Sequence, residues 1–266
     1  MTDGPGSRPA VPLAAINRIF PEVNVAATDE QLLQWYGELP HKGPWVRFNF
    51  VSSLDGAATH EGRSGPLGNA VDQHVFSLLR RLADVILIGA GTIRAEGYGG
   101  ELLSAESRQW RIEHGLPARP AFAVVSGSLD LDPESELFVQ APVRPLLLTT
   151  ARADADRRRA LEGVAEVVDA GEQWVEPAMI VEILTSRGLT QIHSEGGPTL
   201  LGSFEAAGLV DELCLTMSPI LAGGTGKRVA DHVAEHMPQA MRLAHILESD
   251  SMLLLRYLSV TSASQR

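Results

Sequence analysis

Between residues 45 and 217 of this 266-residue chain, short apolar runs of strand length alternate with stretches of helix length. That alternation constrains the fold more than any other feature. In Trp45–Ser52, Val46, Phe48 and Phe50 alternate with Arg47 and Asn49, which predicts one buried face. A helix expected over 70–83 leads into Val85-Ile86-Leu87-Ile88, and further apolar runs stand at 122–125, 145–149, 166–168, 191–193 and Glu212–Met217. Helices are expected between them, at roughly 105–114, 153–161, 177–187 and 198–207. Parallel neighbours need crossover connections, so this order implies an α/β domain with a central, mostly parallel sheet and helices on both faces. The ending differs: 240–247 and 252–260 flank Glu248-Ser249-Asp250-Ser251 and read as an antiparallel C-terminal hairpin at one edge of the sheet. A short helix is expected at 29–39, with Leu32, Leu33, Trp35 and Tyr36 on its apolar side. Residues 1–13 and 261–266 read as disordered tails around a single domain at 14–260.

Composition removes several classes of function. The chain carries 22 basic against 33 acidic residues, a net charge of −11, and nucleic acid or anionic membrane as main partner would need the opposite balance. No apolar run approaches the roughly 20 residues of a membrane helix. The opening MTDGPGSRPA has neither the basic cap nor the apolar stretch of a secretory leader, so a cytoplasmic protein is expected. One cysteine, Cys214, excludes an internal disulfide and any zinc site built on paired cysteines; it sits among Leu213, Leu215 and Met217 and reads as core. His74 in a helix and His193 in a strand lack the spacing of a metal site, and no metal is expected.

Three segments carry candidate chemistry. Ser52-Ser53-Leu54-Asp55-Gly56 ends the first strand, where open α/β sheets place their ligands, although Asp-Gly is equally a plain turn signal. Leu87-Ile88-Gly89-Ala90-Gly91-Thr92 runs from a strand into a helix start, but Arg94 stands where a dinucleotide fingerprint has its third glycine, which disfavours an ordinary Rossmann dehydrogenase. His193-Ser194-Glu195-Gly196-Gly197-Pro198-Thr199-Leu200 is a second strand-to-helix turn, with Pro198 suited to a first helical turn. Each is either a tight connection or a preformed anion site, with glycines admitting a phosphate to free backbone N–H groups. Two such turns in one α/β chain point to a nucleotide. Pro219–Lys227 is a glycine-rich loop able to close over a ligand or simply to connect, written Pro219-Ile220-Leu221-Ala222-Gly223-Gly224-Thr225-Gly226-Lys227. Thr150 and Arg152, after another apolar run, suit an adenosine 2′-phosphate; Thr150 or Asp154 equally suits a helix cap.

Together these residues resemble the reductase domain of the riboflavin-biosynthesis deaminase/reductase family, the RibD C-terminal domain family, whose fold is dihydrofolate-reductase-like. The resemblance runs from Pro44-Trp45-Val46 and Ser53-Leu54-Asp55-Gly56 through Leu78-Leu79-Arg80, Ala83-Asp84-Val85, Gly89, Gly91-Thr92 and Glu195-Gly196-Gly197. It ends with Gly208-Leu209-Val210-Asp211-Glu212-Leu213 and Pro219-Ile220-Leu221, and so covers about 44–227. It implies an NADPH-dependent reductase, commonly a homodimer. Gly89, Gly91, Thr92 and Glu96 are then cofactor contacts, and Glu195, Gly196, Gly197, Thr199 and Leu200 cradle the pyrophosphate. Asn49, Ser53 and Asp55 stand at the substrate end.

Two departures qualify the resemblance. The zinc deaminase motifs H-x-E and P-C-x-x-C are absent, so a stand-alone reductase is expected. The family's Asp-Asp-Pro-x-Leu-x-x-Arg run, implied to contact the substrate phosphate, is replaced by Ala95-Glu96-Gly97-Tyr98-Gly99-Gly100-Glu101-Leu102-Leu103, with no arginine before Arg108. The expected reaction is hydride transfer from NADPH to a C=N bond of a ribosylamino-pyrimidine phosphate, with a pteridine such as dihydrofolate as the alternative substrate and a non-catalytic NADPH-binding protein as the alternative outcome. Asp55 is the expected proton donor, its pKa raised by partial burial.

Overall fold

The structure is a computed structural model describing residues 13–231 and 238–260; the tails expected at 1–13 and 261–266 lie outside the described residues apart from residue 13. Ten strands form one sheet: β1 (Asn17–Phe20), β2 (Trp45–Ser52), β3 (Val85–Gly89), β4 (Ala121–Val125), β5 (Leu146–Thr149), β6 (Glu166–Asp169), β7 (Gln191–Ser194), β8 (Glu212–Met217), β9 (Met241–Ser249) and β10 (Met252–Ser259). Their order across the sheet is β1-β9-β10-β8-β2-β7-β3-β4-β5-β6. From β8 to β6 every neighbouring pair is parallel. The β8–β10, β10–β9 and β9–β1 pairs are antiparallel.

The hairpin forms as expected but does not lie at the edge. β1 pairs with β9 on its outer side and is itself the terminal strand. Only four residues long and half exposed, Asn-Arg-Ile-Phe has no period-2 run to betray it in sequence.

The helices are α1 (Asp29–Gly37), α2 (Ala70–Arg81), α3 (Ala90–Glu96), α4 (Ala105–Glu113), α5 (Glu136–Val139), α6 (Ala155–Glu162), α7 (Pro177–Ser186) and α8 (Pro198–Ala206). Alternation along β3 shows how they cover the sheet. Val85 and Leu87 share a buried cluster with Ile180 and Leu184 of α7 and Leu200, Leu201 and Phe204 of α8. Ile86 and Ile88 point the other way, into a cluster with Ile93 of α3, Leu137 and Phe138 of α5 and Leu161 of α6. A third cluster packs α1 and α2 against Cys214, Leu247 and Leu254 of the antiparallel side. Each fully buried Leu, Ile or Phe contributes about 1.5–3 kcal/mol of transfer free energy, so a sheet apolar on both faces requires both helical layers.

A buried ionic knot ties the parallel and antiparallel halves together. Glu212 of β8 accepts from Trp45 Nε1 (2.7 Å), Arg47 Nε (2.8 Å) and Arg256 Nε (2.8 Å), and all four residues are buried. Burial opposes ionisation of Glu212, but the two guanidiniums outweigh it and hold the carboxyl at about 2. Cys214 is buried beside the knot, its thiol donating to Glu212 Oε1 (3.3 Å).

Candidate active site

The two glycine turns, more than a hundred residues apart in sequence, meet in space because β3 and β7 are parallel neighbours. Gly89 N–H donates to Gly196 O (2.7 Å), and Glu195 N–H donates to Leu87 O (3.0 Å). Both turns therefore open at the carboxyl ends of adjacent strands, each running into a helix, α3 on one side and α8 on the other. Glycine is required at the seam. Gly196 has φ +88°, and a Cβ there would lie 2.7 Å from the Phe50 ring. A Cβ on Gly197 would lie 2.6 Å from Thr92 Oγ1.

This seam borders a cleft of about 1010 Å³. It is lined by Gly89, Gly91, Thr92 and Glu96 from the first turn and by Glu195, Gly197, Thr199 and Leu200 from the second. Asn49 of β2 forms part of the floor, and the loop from Ala222 to Lys227 forms a rim. Gly196 lies behind the lining, within its turn. Leu200 donates its N–H to Gly197 O (2.9 Å), so it contributes an apolar surface rather than a free amide.

Three acidic side chains prove to be structural anchors. Glu96 accepts from Ser64 N–H (2.7 Å) and Ser64 Oγ (2.9 Å), which fastens the 60–65 turn over the end of α3. Glu195 is held by Arg80 through Nε (2.6 Å) and Nη2 (2.8 Å) and by the Tyr98 hydroxyl (2.7 Å). Burial disfavours its charge, yet Arg80 prevails and the carboxyl lies below the usual range. Asp55 departs most from expectation. It is exposed, outside the cleft lining, and accepts from Ser53 Oγ (2.5 Å), Ala222 N–H (3.0 Å) and Gly223 N–H (2.7 Å). Those hydrogen bonds, Ser53 first, lower its pKa to about 2, the reverse of the rise expected from partial burial. Asp55 is thus ionised at neutral pH and pins the glycine loop. Ser53 works in the same turn, its Oγ also accepting from Ala57 N–H (2.9 Å), and does not reach the cleft.

Thr150 and Arg152 are likewise not brought to the cleft. They follow β5, two strands beyond β3, a lateral displacement of about 10 Å at ~4.8 Å per strand. Thr150 is buried, with its carbonyl accepting from Arg158 (3.0 Å), and Arg152 is exposed. The cap of α6 is Asp154, which accepts from Asp156 N–H and Arg157 N–H.

Among the cleft residues that the sequence did not single out, Asp72 is a buried carboxylate. Asp72 in the first turn of α2 is only 6% exposed, lines the cleft beside Asn49 and Phe76, and is hydrogen-bonded to the Thr216 side chain of β8. Burial raises its pKa, and the Thr216 bond only partly opposes that rise. The available signal was its place on the apolar stripe of α2, between Val71 and Val75 with Leu79 beyond, where a carboxylate needs a reason.

An α/β sheet with a glycine-seamed cleft at its parallel carboxyl ends defines a dihydrofolate-reductase-like oxidoreductase fold. The model of the RibD C-terminal domain matches residues 44–255, and the chain belongs to that family. It is 31% identical over 182 residues to the 2,5-diamino-6-ribosylamino-4(3H)-pyrimidinone 5′-phosphate reductase of Archaeoglobus fulgidus, covering 68% of this chain and 83% of that one. The reductase of the same name from Methanothermobacter thermautotrophicus is 28% identical, over 75% of this chain and 90% of its own length. Among solved structures, a pyrimidine reductase-like protein from Corynebacterium diphtheriae superposes with a TM-score of 0.79 at 28% identity, covering 88% of this chain and 99% of that one.

Proposed function

We propose that the chain is an NADPH-dependent reductase acting on the C=N bond of a ribosylamino-pyrimidine phosphate. The observation that carries this reading is the hydrogen-bonded meeting of the Gly89–Thr92 and Gly196–Thr199 turns at the rim of one large cleft. The seam suits a dinucleotide: at Gly91, in the first turn of α3, open space stands where a Cβ would be, and the N-terminal turn of α8 faces the cleft through Thr199. When bound, NADPH supplies the hydride.

The chain's own work is positioning and exclusion of water. Gly91, Thr92, Gly197 and Thr199 would hold the pyrophosphate, while Asn49, Phe76 and Asp72 line the part of the cleft where the pyrimidine would sit, its ribosyl C=N being the bond reduced. Asp55 acts at a distance, keeping Ala222 and Gly223 in place so that the 222–227 loop walls the substrate end. Lys227 lines that rim and is paired at the surface with Asp231 (3.2 Å).

A second reading, reduction of a dihydropterin, is favoured by one observation. Arg108, the first arginine after the altered loop, is committed to Glu101 (2.6 Å), as is Arg119 (2.7 Å), so neither stands free for a substrate phosphate. The test is NADPH oxidation followed by absorbance, with the ribosylamino-pyrimidine phosphate and dihydrofolate side by side. Oxidation with the first supports the proposal, oxidation with dihydrofolate alone supports the second reading, and tight NADPH binding with neither oxidised leaves a binding protein.

A further inference from the structure

We propose that Ser64 and Glu96 form a latch that holds a two-loop flap across the cleft, so that ligands enter and leave when this pair opens. The inference rests on the seam being the seat of a dinucleotide and adds how that site is closed.

The flap is built from two segments far apart in sequence. Residues 53–65, which follow β2, lie against the 219–227 loop that follows β8, because β2 and β8 are parallel neighbours. Leu54 N–H donates to Ile220 O (2.8 Å) and Ala58 N–H to Lys227 O (2.8 Å), while Asp55 accepts from Ala222 and Gly223. A Cβ on Gly226 would lie 3.0 Å from both Ala57 Cβ and Thr59 O, so the two backbones pack directly on each other. Tied at both ends and in the middle, the segments move as one body. The tip is a tight hairpin turn. His60 and Arg63 exchange both backbone hydrogen bonds (2.8 and 3.1 Å), and Glu61 and Gly62 between them have φ +51° and +82°.

This flap crosses the cleft. It springs from β2 and β8, whereas α3 begins at the end of β3, two strands from β2 and about 10 Å away at ~4.8 Å per strand. Between them stands β7 with its Gly196-Gly197 turn. Thr59, His60 and Thr225 of the flap line the same cleft as Gly91 and Thr92 of α3. The far side is reached at Ser64, whose N–H (2.7 Å) and Oγ (2.9 Å) both donate to Glu96 Oε1 on the last residue of α3. Among the described residues these are the hydrogen bonds that join the flap to α3. The helix that carries Gly91 and Thr92 at its start therefore holds the flap at its end. A fastening of two hydrogen bonds on one half-buried carboxylate is of a kind that loop motions break in microseconds to milliseconds.

A latch and a direct cofactor contact differ in their kinetics. A residue that touches the cofactor slows its departure alone, so its loss raises koff and weakens Kd. A latch that closes with and without ligand slows entry and exit alike. Its loss raises kon and koff by the same factor and leaves Kd in place, because a ligand that favours neither position shifts no equilibrium.

The test is stopped-flow binding of NADPH to the full chain, followed by NADPH fluorescence. Glu96→Ala removes both bonds and is expected to raise kon and koff together by about 10-fold or more, with Kd held within about threefold. Ser64→Ala removes one bond, raises both rates by a smaller factor, and adds nothing in the Glu96→Ala background. Glu96→Gln keeps the acceptor oxygen and is expected to restore most of the wild-type rates. Trypsin cleavage after the exposed Arg63, measured without NADPH, gives an independent reading and should quicken in Glu96→Ala. A rise in koff alone, with Kd weakened in proportion, makes Glu96 a cofactor contact and overturns the latch. Unchanged rates in Glu96→Ala, or unchanged cleavage at Arg63, overturn it as well. Failure of the wild type to bind NADPH overturns the function reading instead, and cleavage at Arg63 still decides the latch.

Discussion

Replacing Gly197 by alanine probes the seam directly. Its backbone, at φ −86° and ψ −168°, is open to alanine, so the substitution adds a methyl group and no torsional strain. That methyl would stand 2.6 Å from Thr92 Oγ1, about 1 Å inside an ordinary contact of ~3.5 Å. Thr92 is β-branched and sits in the first turn of α3, where few rotamers are open to it, so the helix start must give way. Overpacking of this kind costs about 1–3 kcal/mol. If a dinucleotide lies across the seam, most of that cost falls on its binding, because the bound form needs both turns in register. NADPH affinity measured by fluorescence titration should then fall roughly 10- to 100-fold, at ~1.4 kcal/mol per factor of ten. In a Thr92→Ala background the added methyl has room, and the penalty for Gly197→Ala should shrink by about 1 kcal/mol or more, a coupling characteristic of residues in contact. A folded Gly197→Ala protein with wild-type NADPH affinity would refute the reasoning.

Other consequences can be checked independently. Asp55→Asn should raise KM for the pyrimidine more than the Kd for NADPH, and should speed proteolysis of the 219–227 loop; a pure loss of kcat with the loop still protected would return Asp55 to proton transfer. Glu212→Gln strands two buried guanidiniums and should cost ~3–5 kcal/mol, lowering Tm by roughly 10 °C at ~2–4 °C per kcal/mol. Arg152→Ala should leave the preference for NADPH over NADH intact, since Arg152 lies away from the cleft. Burial depresses His193 to about 4 and His245 to about 3. In the unfolded chain both protonate near 6.5 while the folded protein keeps them neutral, so stability should fall as pH drops from about 6.5 toward 4. The slope approaches ~1.4 kcal/mol per pH unit per histidine. Urea midpoints across that range should show it, and His193→Leu, at a position whose ring nitrogens have no hydrogen-bond partner, should roughly halve the slope.

Much of the architecture was legible because parallel strands covered on both faces must be apolar throughout. β3, β4 and β5 therefore stand out as apolar runs, and the starts of α6 and α8 follow from Asp154 and Pro198. The edge strand β1 did not stand out, since half-exposed Asn17–Phe20 owes its conformation to pairing with β9. The site divides along a similar line. Glycines at Gly89, Gly91, Gly196 and Gly197 reveal a need for close backbone approach, and sequence order places them beside one another once the sheet is parallel. The roles of the acids were not legible, because each depends on a partner far along the chain. Asp55 meets Ala222 and Gly223, Glu96 meets Ser64, and Asp72 meets Thr216. A turn aspartate and a catalytic aspartate look alike until the third dimension supplies their neighbours.

Amide hydrogen exchange with and without NADPH tests the central claim most directly. Simultaneous protection of the 89–95 and 195–201 segments is expected, with 150–158 unchanged. Protection confined to 150–158, or none at either glycine turn at saturating NADPH, would contradict it.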